Sequence, residues 1–272
     1  MSEIFKMWDN PPLMLEGKKA PTLHYFKTGK KSESKGCVLV LPGGGYGSVM
    51  TGYEGAEYAE YLNEHGFDAF MLDYRVSPYR FPVPLLDARR AIRVIRYNAK
   101  RLGICEDRIL VMGSSAGGHL SALVSTYKGK IDGEGIDEID NIDPIPNGQI
   151  LCYPVIDTVG HLGSFQNLLG ENTSYDEYTP TLLADESTPP AFMWHTMRDD
   201  IVNVTNTLVY AKRLKELDVS CEMHMFPDGT HGLGLGNDST IALRQEKVNI
   251  GKHVSSWCEL MIKWLNYMGF ND

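Results

Sequence analysis

The sequence predicts an α/β fold in which helices cover both faces of a mainly parallel sheet. Strand-like and helix-like segments alternate along the chain. The run at 37–41 (CVLVL) is apolar throughout, as in a strand that is buried on both faces. Polar motifs directly follow several predicted strands, and in such sheets the chemistry gathers at the carboxyl ends of the strands. Because 272 residues are ordinary for one domain of this class, we expect a single domain over 1–272.

The predicted elements follow one another closely, except at two places. Strands are predicted at 37–41, 67–72, 108–112, 149–155, 191–196 and 221–226, and helices at 54–65, 84–102, 116–126, 203–218 and 244–268. Residues 128–147 are acidic and contain glycine and proline, which indicates a surface excursion. Residues 157–188 contain short apolar fragments between polar stretches, and we interpret them as an insertion or small lid.

The composition argues against several classes of protein. The formal net charge of −9 disfavours nucleic acid and anionic membranes as partners. No stretch approaches the ~20 apolar residues of a membrane span, and the N-terminus lacks the basic start and apolar run of a signal peptide. No Cys-x-x-Cys pair or His/Cys cluster has metal-ligand spacing, so we expect neither a metal nor an organic cofactor.

The cysteines are odd in number and scattered, which favours reduced thiols in a cytoplasmic protein over disulfides. They are Cys37, Cys105, Cys152, Cys221 and Cys258. The sequence contains no coiled-coil pattern, and it leaves the oligomeric state open.

Gly113-Ser114-Ser115-Ala116-Gly117 is the only G-x-S-x-G pattern in the chain. This pattern is typical of a sharp strand-to-helix turn that exposes the middle hydroxyl, because small residues are needed where the backbones nearly collide. The alternative is a glycine-rich turn with an idle serine. The predicted strand before the motif and the small-residue helix after it favour Ser115 as a nucleophile, while Ser114 occupies the variable position.

A glycine-rich run, Pro42-Gly-Gly-Gly-Tyr-Gly47, follows the first central strand. A flexible loop or a phosphate cradle are the alternatives, but a phosphate loop would have a lysine after its glycines, and this one has none. We expect the N–H groups of Gly44 and Gly45, together with that of Ala116, to form an oxyanion hole.

A serine nucleophile needs a base and an acid that follow it in the chain. His231 lies in a glycine-rich loop after a predicted strand, whereas His195 and His224 lie inside predicted strands, where core or sheet-face roles fit better. The best-placed acid is Asp199 or Asp200, in the loop before the 203–218 helix. Asp185 fits less well. Either member of the Asp199-Asp200 pair could instead cap that helix.

An ordered series of segments resembles the acetyl xylan esterase-like branch of the α/β-hydrolases, relatives of the hormone-sensitive-lipase esterases. The series covers about residues 36–236 and includes LPGGGYG, LDYRVSP, PVPLLDARRAIRVIRYNAKRLGI, RILVMGSSAGGHLSA, STPPAFMWHTMRDDIVNVTNTLVYAKRL and MHMFPDGTHGLGLG. The resemblance implies the α/β-hydrolase fold. It also implies a structural role for Tyr74, Arg75 and Asp87, with an Arg75–Asp87 contact.

The resemblance also selects the acid. In this family the acid stands three residues before the valine of a D-x-x-V-P segment, and Val202 in that position implies Asp199. Asn203 replaces the usual proline, and Pro42 replaces the histidine that often begins the oxyanion loop. The second replacement removes a side chain but none of the glycine N–H donors.

These residues together predict a serine carboxylesterase with the triad Ser115, His231 and Asp199. Its expected substrates are small-molecule short-chain esters, with acetyl as the favoured acyl group and a sugar-like alcohol as the other half. An arylformamidase or a small peptidase could use the same triad. A lipase for long chains is disfavoured, since no strongly apolar lid is present. A non-catalytic binding protein on the same scaffold would usually have lost one of the three residues.

Overall fold

One eight-stranded sheet runs through the molecule. The computed structural model describes residues 3–30, 35–158, 161–171 and 174–271. The strands are β1 (Glu3–Phe5), β2 (Thr22–Phe26), β3 (Lys35–Leu41), β4 (Asp68–Asp73), β5 (Ile104–Ser114), β6 (Gly148–Cys152), β7 (Ala191–Thr196) and β8 (Cys221–Phe226). Their order across the sheet is β1-β2-β4-β3-β5-β6-β7-β8.

The sheet is mainly parallel, as the alternation of segments predicts. Every neighbouring pair from β4 to β8 is parallel, and only the pairs β1–β2 and β2–β4 at one edge are antiparallel. The sequence interpretation did not assign β1 and β2. The more central β2 alternates half-buried and buried side chains over five residues, a short signal at the edge of the sheet.

Helices cover both faces of the sheet. They are α1 (Glu57–Glu64), α2 (Val83–Leu102), α3 (Ala116–Thr126), α4 (Leu162–Leu169), α5 (Pro180–Leu183), α6 (Thr205–Glu216), α7 (Asp238–Arg244), α8 (Val248–Val254) and α9 (Trp257–Tyr267). Side chains of β3 alternate between the two faces: Leu39 packs with α2 and α3, and Val40 packs with α1 and α9. Because helices cover both faces, β3 is apolar at every position from Cys37 to Leu41.

Two predicted elements differ from the structure. The helix predicted at 244–268 is wrong, since the segment contains α8 and α9 as separate helices. The chain leaves α7 through Gln245, whose φ is +53°, and Ser255 and Ser256 lie between α8 and α9. The strand predicted at 149–155 ends early, because Tyr153 has a φ of +37° and turns the chain out of the sheet.

The acidic excursion at 128–147 is anchored to α2 by arginines. Arg90 lies 2.8 Å from Asp140, with both side chains only 2% exposed, and Arg93 lies 2.7 Å from Glu134. The two residue types interleaved along α2 therefore lie on different faces of the helix. The apolar residues pack on the sheet, and the arginines bind the excursion.

The contact implied for Arg75 and Asp87 is present and buried. Asp87 accepts the Arg75 backbone N–H at 2.9 Å and also bonds the Arg75 guanidinium, and the two side chains are 2% and 0% exposed. A further Arg75 nitrogen donates to Pro12 O at 2.6 Å, and the guanidinium lies over the Trp8 and Tyr79 rings. The pair thus ties the loop after β4 to α2 and to the N-terminal segment.

We predict that Asp87→Asn lowers the free energy of unfolding by about 3–5 kcal/mol, because it leaves the buried Arg75 charge without its partner. Urea unfolding followed by fluorescence measures this difference. The matched control is Glu216→Gln, which weakens a solvent-exposed pair with Lys212. It should change the free energy by less than ~1 kcal/mol. Equal losses in the two variants would contradict the prediction.

Candidate active site

Ser115 lies at a sharp turn between β5 and α3. Its backbone has φ +54° and ψ −121°, a strained conformation for a residue with a side chain, and it immediately precedes the first residue of α3. A Cβ at Gly113 would lie 2.1 Å from Gly117 O, and one at Gly117 would lie 2.0 Å from Leu41 O. Both flanking positions therefore require glycine, which is the constraint that the sequence pattern expresses.

The loops after β7 and β8 bring an imidazole and a carboxylate to Ser115. The Ser115 Oγ lies 2.9 Å from Nε2 of His231, and Nδ1 of His231 lies 2.7 Å from Oδ2 of Asp199. Because Nδ1 faces a carboxylate, it carries the proton, and Nε2 is left to accept the hydrogen bond from the serine hydroxyl. The structure thus brings together all three side chains that the sequence analysis singled out.

The Asp199 carboxylate is held by several donors. Its Oδ1 accepts the backbone N–H groups of Ile201 and Val202 at 2.9 and 2.8 Å, and its Oδ2 accepts from His231 and from His195 at 3.2 Å. Burial alone would raise the pKa of Asp199. Hydrogen bonds from His195 and His231 outweigh burial and hold the pKa of this carboxyl well below its usual range.

Asp200 occupies a different position. Its side chain is exposed, and its Oδ1 lies 3.3 Å from the backbone nitrogen of His231, not from the ring. Neither Asp199 nor Asp200 caps α6, so that alternative is wrong. Residue Val204 precedes the helix without a side-chain cap, and Asn203 accepts the N–H of Thr205 at 2.9 Å.

His195 is a buried histidine, as the sequence indicates, but it also contacts the acid. Its Nε2 faces two acceptors, Asp199 Oδ2 and the Val202 carbonyl at 3.0 Å, and must therefore be the protonated nitrogen. Its Nδ1 lies 2.7 Å from Thr207 Oγ1, a hydroxyl that can donate to it. Sequence reasoning missed this contact, although a histidine four residues before the acid, at the end of a strand, was the available signal.

Two further histidines, His224 and His119, have partners away from the serine. His224 lies 2.8 Å from Glu222 on β8. His119 on α3 donates from Nε2 to the carbonyl of Tyr178 and lies 2.8 Å from the hydroxyl of Tyr46. Burial lowers the pKa of His119 to about 4, so it stays neutral in the core at ordinary pH.

The glycine loop after β3 has the conformation that only glycine adopts easily. Gly44 and Gly45 have φ values of +129° and +63°, and a Cβ at Gly44 would lie 2.2 Å from Ser48 O. The loop is held from outside by Asn167 of α4, which donates to Gly45 O at 2.8 Å. The segment at 157–188 therefore touches the site through α4; its residues 159, 160, 172 and 173 lie outside the described ranges.

The N–H groups that the sequence predicts for an oxyanion hole differ from the N–H of Ser115 in whether a protein acceptor already occupies them. Within the described ranges, the N–H groups of Gly44 and Gly45 meet no protein acceptor. Ala116 opens α3, so its N–H has no acceptor within the helix. The N–H of Ser115, by contrast, donates to Cys152 O at 3.0 Å.

A small open pocket of about 160 Å³ lies at this site. It is lined by ten residues: Gly44, Gly45, Met50, Tyr53, Glu54, Ser115, His161, Ile201, His231 and Arg244. Glu54 was missed by the sequence analysis. It is one of four glutamates in the helix predicted at 54–65, and nothing in its local pattern separates it from a solvated helix residue.

The described residues were also compared with the requirements of a metal site and of a membrane span. In the part of the chain that the structure describes, no three His, Cys, Asp or Glu side chains are grouped as metal ligands would be. None of the described helices has both the length and the apolar character that a membrane span needs.

Comparisons with known proteins identify the family to which the chain belongs. A family model described as BD-FAE matches residues 24–214. The chain is 36% identical over 211 residues to an endo-1,4-beta-xylanase B of Butyrivibrio fibrisolvens and 31% identical over 209 residues to an acetylxylan esterase of Xylanibacter ruminicola. These matches cover 74% and 73% of the chain but only 33% and 41% of the two longer relatives.

Solved structures extend the likeness over the whole chain. An acetyl ester-xyloside bifunctional hydrolase from Caldicellulosiruptor lactoaceticus is 38% identical, with a TM-score of 0.89 over 99% of this chain and 97% of that one. A carboxylesterase from Lactobacillus plantarum shares the fold, with a TM-score of 0.81 over 100% and 98% of the two chains at 22% identity. The chain therefore belongs to the BD-FAE family and has the α/β-hydrolase fold of its esterase relatives.

Proposed function

We propose that this protein is a serine carboxylesterase that uses Ser115 as nucleophile, His231 as general base and Asp199 as the acid that orients it. The observation that carries the proposal is the continuous hydrogen-bonded path from the Ser115 hydroxyl through both ring nitrogens of His231 to Asp199. Carboxylic ester hydrolysis is also the chemistry named for its relatives, among them an acetylxylan esterase.

The reaction follows from this geometry. Ser115 Oγ attacks the ester carbonyl carbon while Nε2 of His231 takes the hydroxyl proton, and the carbonyl electron pair moves to its oxygen. When the tetrahedral intermediate collapses, the bond to the alcohol oxygen breaks and His231 returns the proton to that oxygen. A water molecule, deprotonated by the same ring, then attacks the acyl carbon. The bond to Ser115 Oγ breaks, His231 returns the proton to Oγ, and the carboxylic acid leaves. Asp199 stabilises the imidazolium formed in each half-reaction.

The oxyanion of the intermediate needs preorganised donors. We assign this role to the N–H groups of Gly44, Gly45 and Ala116. The orientation of the glycine loop supports the assignment, since the N–H groups of Gly44 and Gly45 are left without protein acceptors in the described ranges while the carbonyl groups of both residues are bonded. The N–H of Ser115 is excluded because it donates to Cys152.

The size of the pocket favours a short acyl group. A volume of about 160 Å³, at ~30 Å³ for a water-sized group, accommodates on the order of five such groups. Acetyl esters fit this space, and the relatives' names point to acetylated xylan or xylosides as the source of a sugar-like alcohol. The open side of the pocket leaves room for that alcohol to extend into solvent.

Location and organisation complete the proposal. Cys152 and Cys258 are buried free thiols, which suits a reducing compartment such as the cytoplasm. We propose a single domain over 1–272, without a cofactor, acting on small-molecule esters.

Ser115→Ala should lower kcat/KM for p-nitrophenyl acetate by at least about 10⁴-fold, because the only nucleophile in the triad is lost. A fluorophosphonate probe should label the wild type and not this variant. Ser114→Ala is the matched control, since the neighbouring hydroxyl faces Tyr58 at 3.1 Å and not His231. It should retain labelling. Turnover by Ser115→Ala at the wild-type rate would refute the assignment.

Asp199→Asn should reduce kcat by about 10³–10⁴-fold, because an amide does not stabilise the imidazolium and permits the wrong tautomer. Asp200→Asn makes the same change one residue away and should stay within a few-fold of the wild type. Steady-state kinetics on p-nitrophenyl acetate measure both. A larger loss in Asp200→Asn than in Asp199→Asn would reverse the choice of acid.

Acyl-chain length tests the pocket. We expect kcat/KM to fall from p-nitrophenyl acetate to butyrate and again to octanoate, because the longer chains exceed the space beside Ser115. The same three esters should be compared with acetylated xylosides in one assay series. An increase toward octanoate would contradict the proposed short-chain specificity.

A further inference from the structure

Glu54 is a buried carboxylate beside the candidate active site. It lies in a π-helical turn, Gly52–Ala56, directly before α1, and it is only 2% exposed. Burying a carboxylate is costly unless donors surround it, so its two oxygens need partners. One partner belongs to the glycine loop, and the other contacts His231 and the loop that carries it.

The first partner belongs to the glycine loop. Oε2 of Glu54 accepts the N–H of Gly43 at 3.0 Å. Gly43 immediately precedes Gly44 and Gly45, and a Cβ at Gly43 would lie 2.6 Å from the same Oε2 and 3.1 Å from Ser115 Cβ. This close packing fixes where the loop leaves β3, and with it the direction of the two following N–H groups.

The second partner leads to the histidine loop. Oε1 of Glu54 accepts the hydroxyl of Tyr153 at 2.7 Å, and that hydroxyl lies 3.3 Å from the backbone nitrogen of Gly234. The ring of Tyr153 packs edge-on against the imidazole of His231, with 5.0 Å between the ring centroids. One carboxylate is thus connected to the oxyanion loop through one oxygen and to the support of His231 through the other.

We propose that Glu54 is a positioning residue that joins the oxyanion loop to the histidine loop and holds a negative charge beside His231. The proposal rests on the proposed function, because it assumes that these two loops act in one reaction. The hydrogen bonds of the carboxylate go to Gly43 and Tyr153, and not to Ser115 or to the ring of His231. It acts through Gly43 on the oxyanion donors and through Tyr153 on the imidazole.

Burial and hydrogen bonding act on Glu54 in opposite directions. Burial raises the pKa of Glu54 above its usual value, and the Tyr153 hydrogen bond, attraction to His231 and the Gly43 N–H offset part of that rise. Donors on both oxygens favour the ionised form. During the reaction His231 becomes an imidazolium, and a carboxylate behind it stabilises that charge in a site of low dielectric constant.

Other groups also act on His231. They are Ser115 at Nε2, Asp199 at Nδ1, Asp200 at the backbone nitrogen, the ring of Tyr153, His161 across the pocket, and Arg244, which donates to the neighbouring Gly232 carbonyl. Of these, the two aspartates carry negative charge and Arg244 carries positive charge at neutral pH. A substitution at Glu54 changes the identity of none of these groups, so the charge it removes is the only charge lost in the variant.

Glu54→Gln tests the proposal, because it keeps the size and one acceptor but removes the charge. We expect kcat on p-nitrophenyl acetate to fall about 10- to 100-fold with KM little changed, since donors and base lose alignment in the transition state. The acidic limb of the kcat/KM profile should move to lower pH, because the imidazolium loses a stabilising charge. Thermal unfolding checks that the variant remains folded.

Glu60→Gln is the matched control. It removes the same charge from the exposed face of α1 and should leave both kcat and the pH profile unchanged. Tyr153→Phe provides a second route if the Glu54 variant unfolds: it keeps the ring against His231 and removes only the hydroxyl link, so kcat should fall with KM unchanged. A folded Glu54→Gln variant with wild-type kcat or a wild-type acidic limb would overturn the proposal, and so would wild-type kcat in Tyr153→Phe.

Failure of this inference can be distinguished from failure of the proposed function. If Ser115→Ala abolishes turnover and Glu54→Gln has no effect, only the role of Glu54 is wrong. If the wild type neither hydrolyses p-nitrophenyl acetate nor reacts with a fluorophosphonate, the esterase assignment itself is wrong, and the role of Glu54 falls with it.

Discussion

The close approach of three backbone segments beneath Ser115 is the constraint on which the rest of the site depends. The end of β3, the end of β5 and the first turn of α3 come so near that a single Cβ at Gly113 or Gly117 would lie about 2 Å from a carbonyl group. This contact sets the strained conformation of the serine, and it also brings the glycine loop after β3 beside it. The position of the proposed nucleophile and the positions of the N–H groups beside it therefore depend on the same backbone contact.

The opposite side of the site is built from polar contacts, and the carboxylates there differ in their surroundings. Asp199 accepts hydrogen bonds from two backbone N–H groups and two histidines, which keep it ionised in spite of burial. Glu54 has fewer donors, and burial dominates its titration. The proposed serine, base and acid thus lie beside buried carboxylates whose hydrogen bonds restrict how far each loop can shift. Such restriction suits a reaction that depends on angstrom-scale alignment.

The sequence allowed the parts of the site with strict local requirements to be predicted. Gly113 and Gly117 leave no alternative at the turn, and the order of serine, acid and histidine follows from the topology of the sheet. Choosing Asp199 over Asp200 needed the register of Val202, because both side chains are chemically able. The sequence gives no sign that Glu54 and Tyr153 contact each other, since that contact depends on distances between segments far apart in the chain. The contact of His195 with Asp199 had one local signal, the spacing of four residues. The helix predicted at 244–268 was wrong because no glycine or proline in the sequence marks the breaks at Gln245 and at Ser255 and Ser256.

Two buried arginines, one on α2 and one in the loop after β4, determine where the chain can be truncated. Arg75 donates to the carbonyl of Pro12, and Arg90 to the carbonyl of Met7, so both reach N-terminal residues. The region that the family model recognises begins at 24 and ends at 214, which excludes these two acceptors and His231 as well. A fragment cut at the limits of the family model would therefore lose partners of two buried cations together with the imidazole beside Ser115. The boundaries for recombinant expression are set by these hydrogen bonds and not by the extent of the family model.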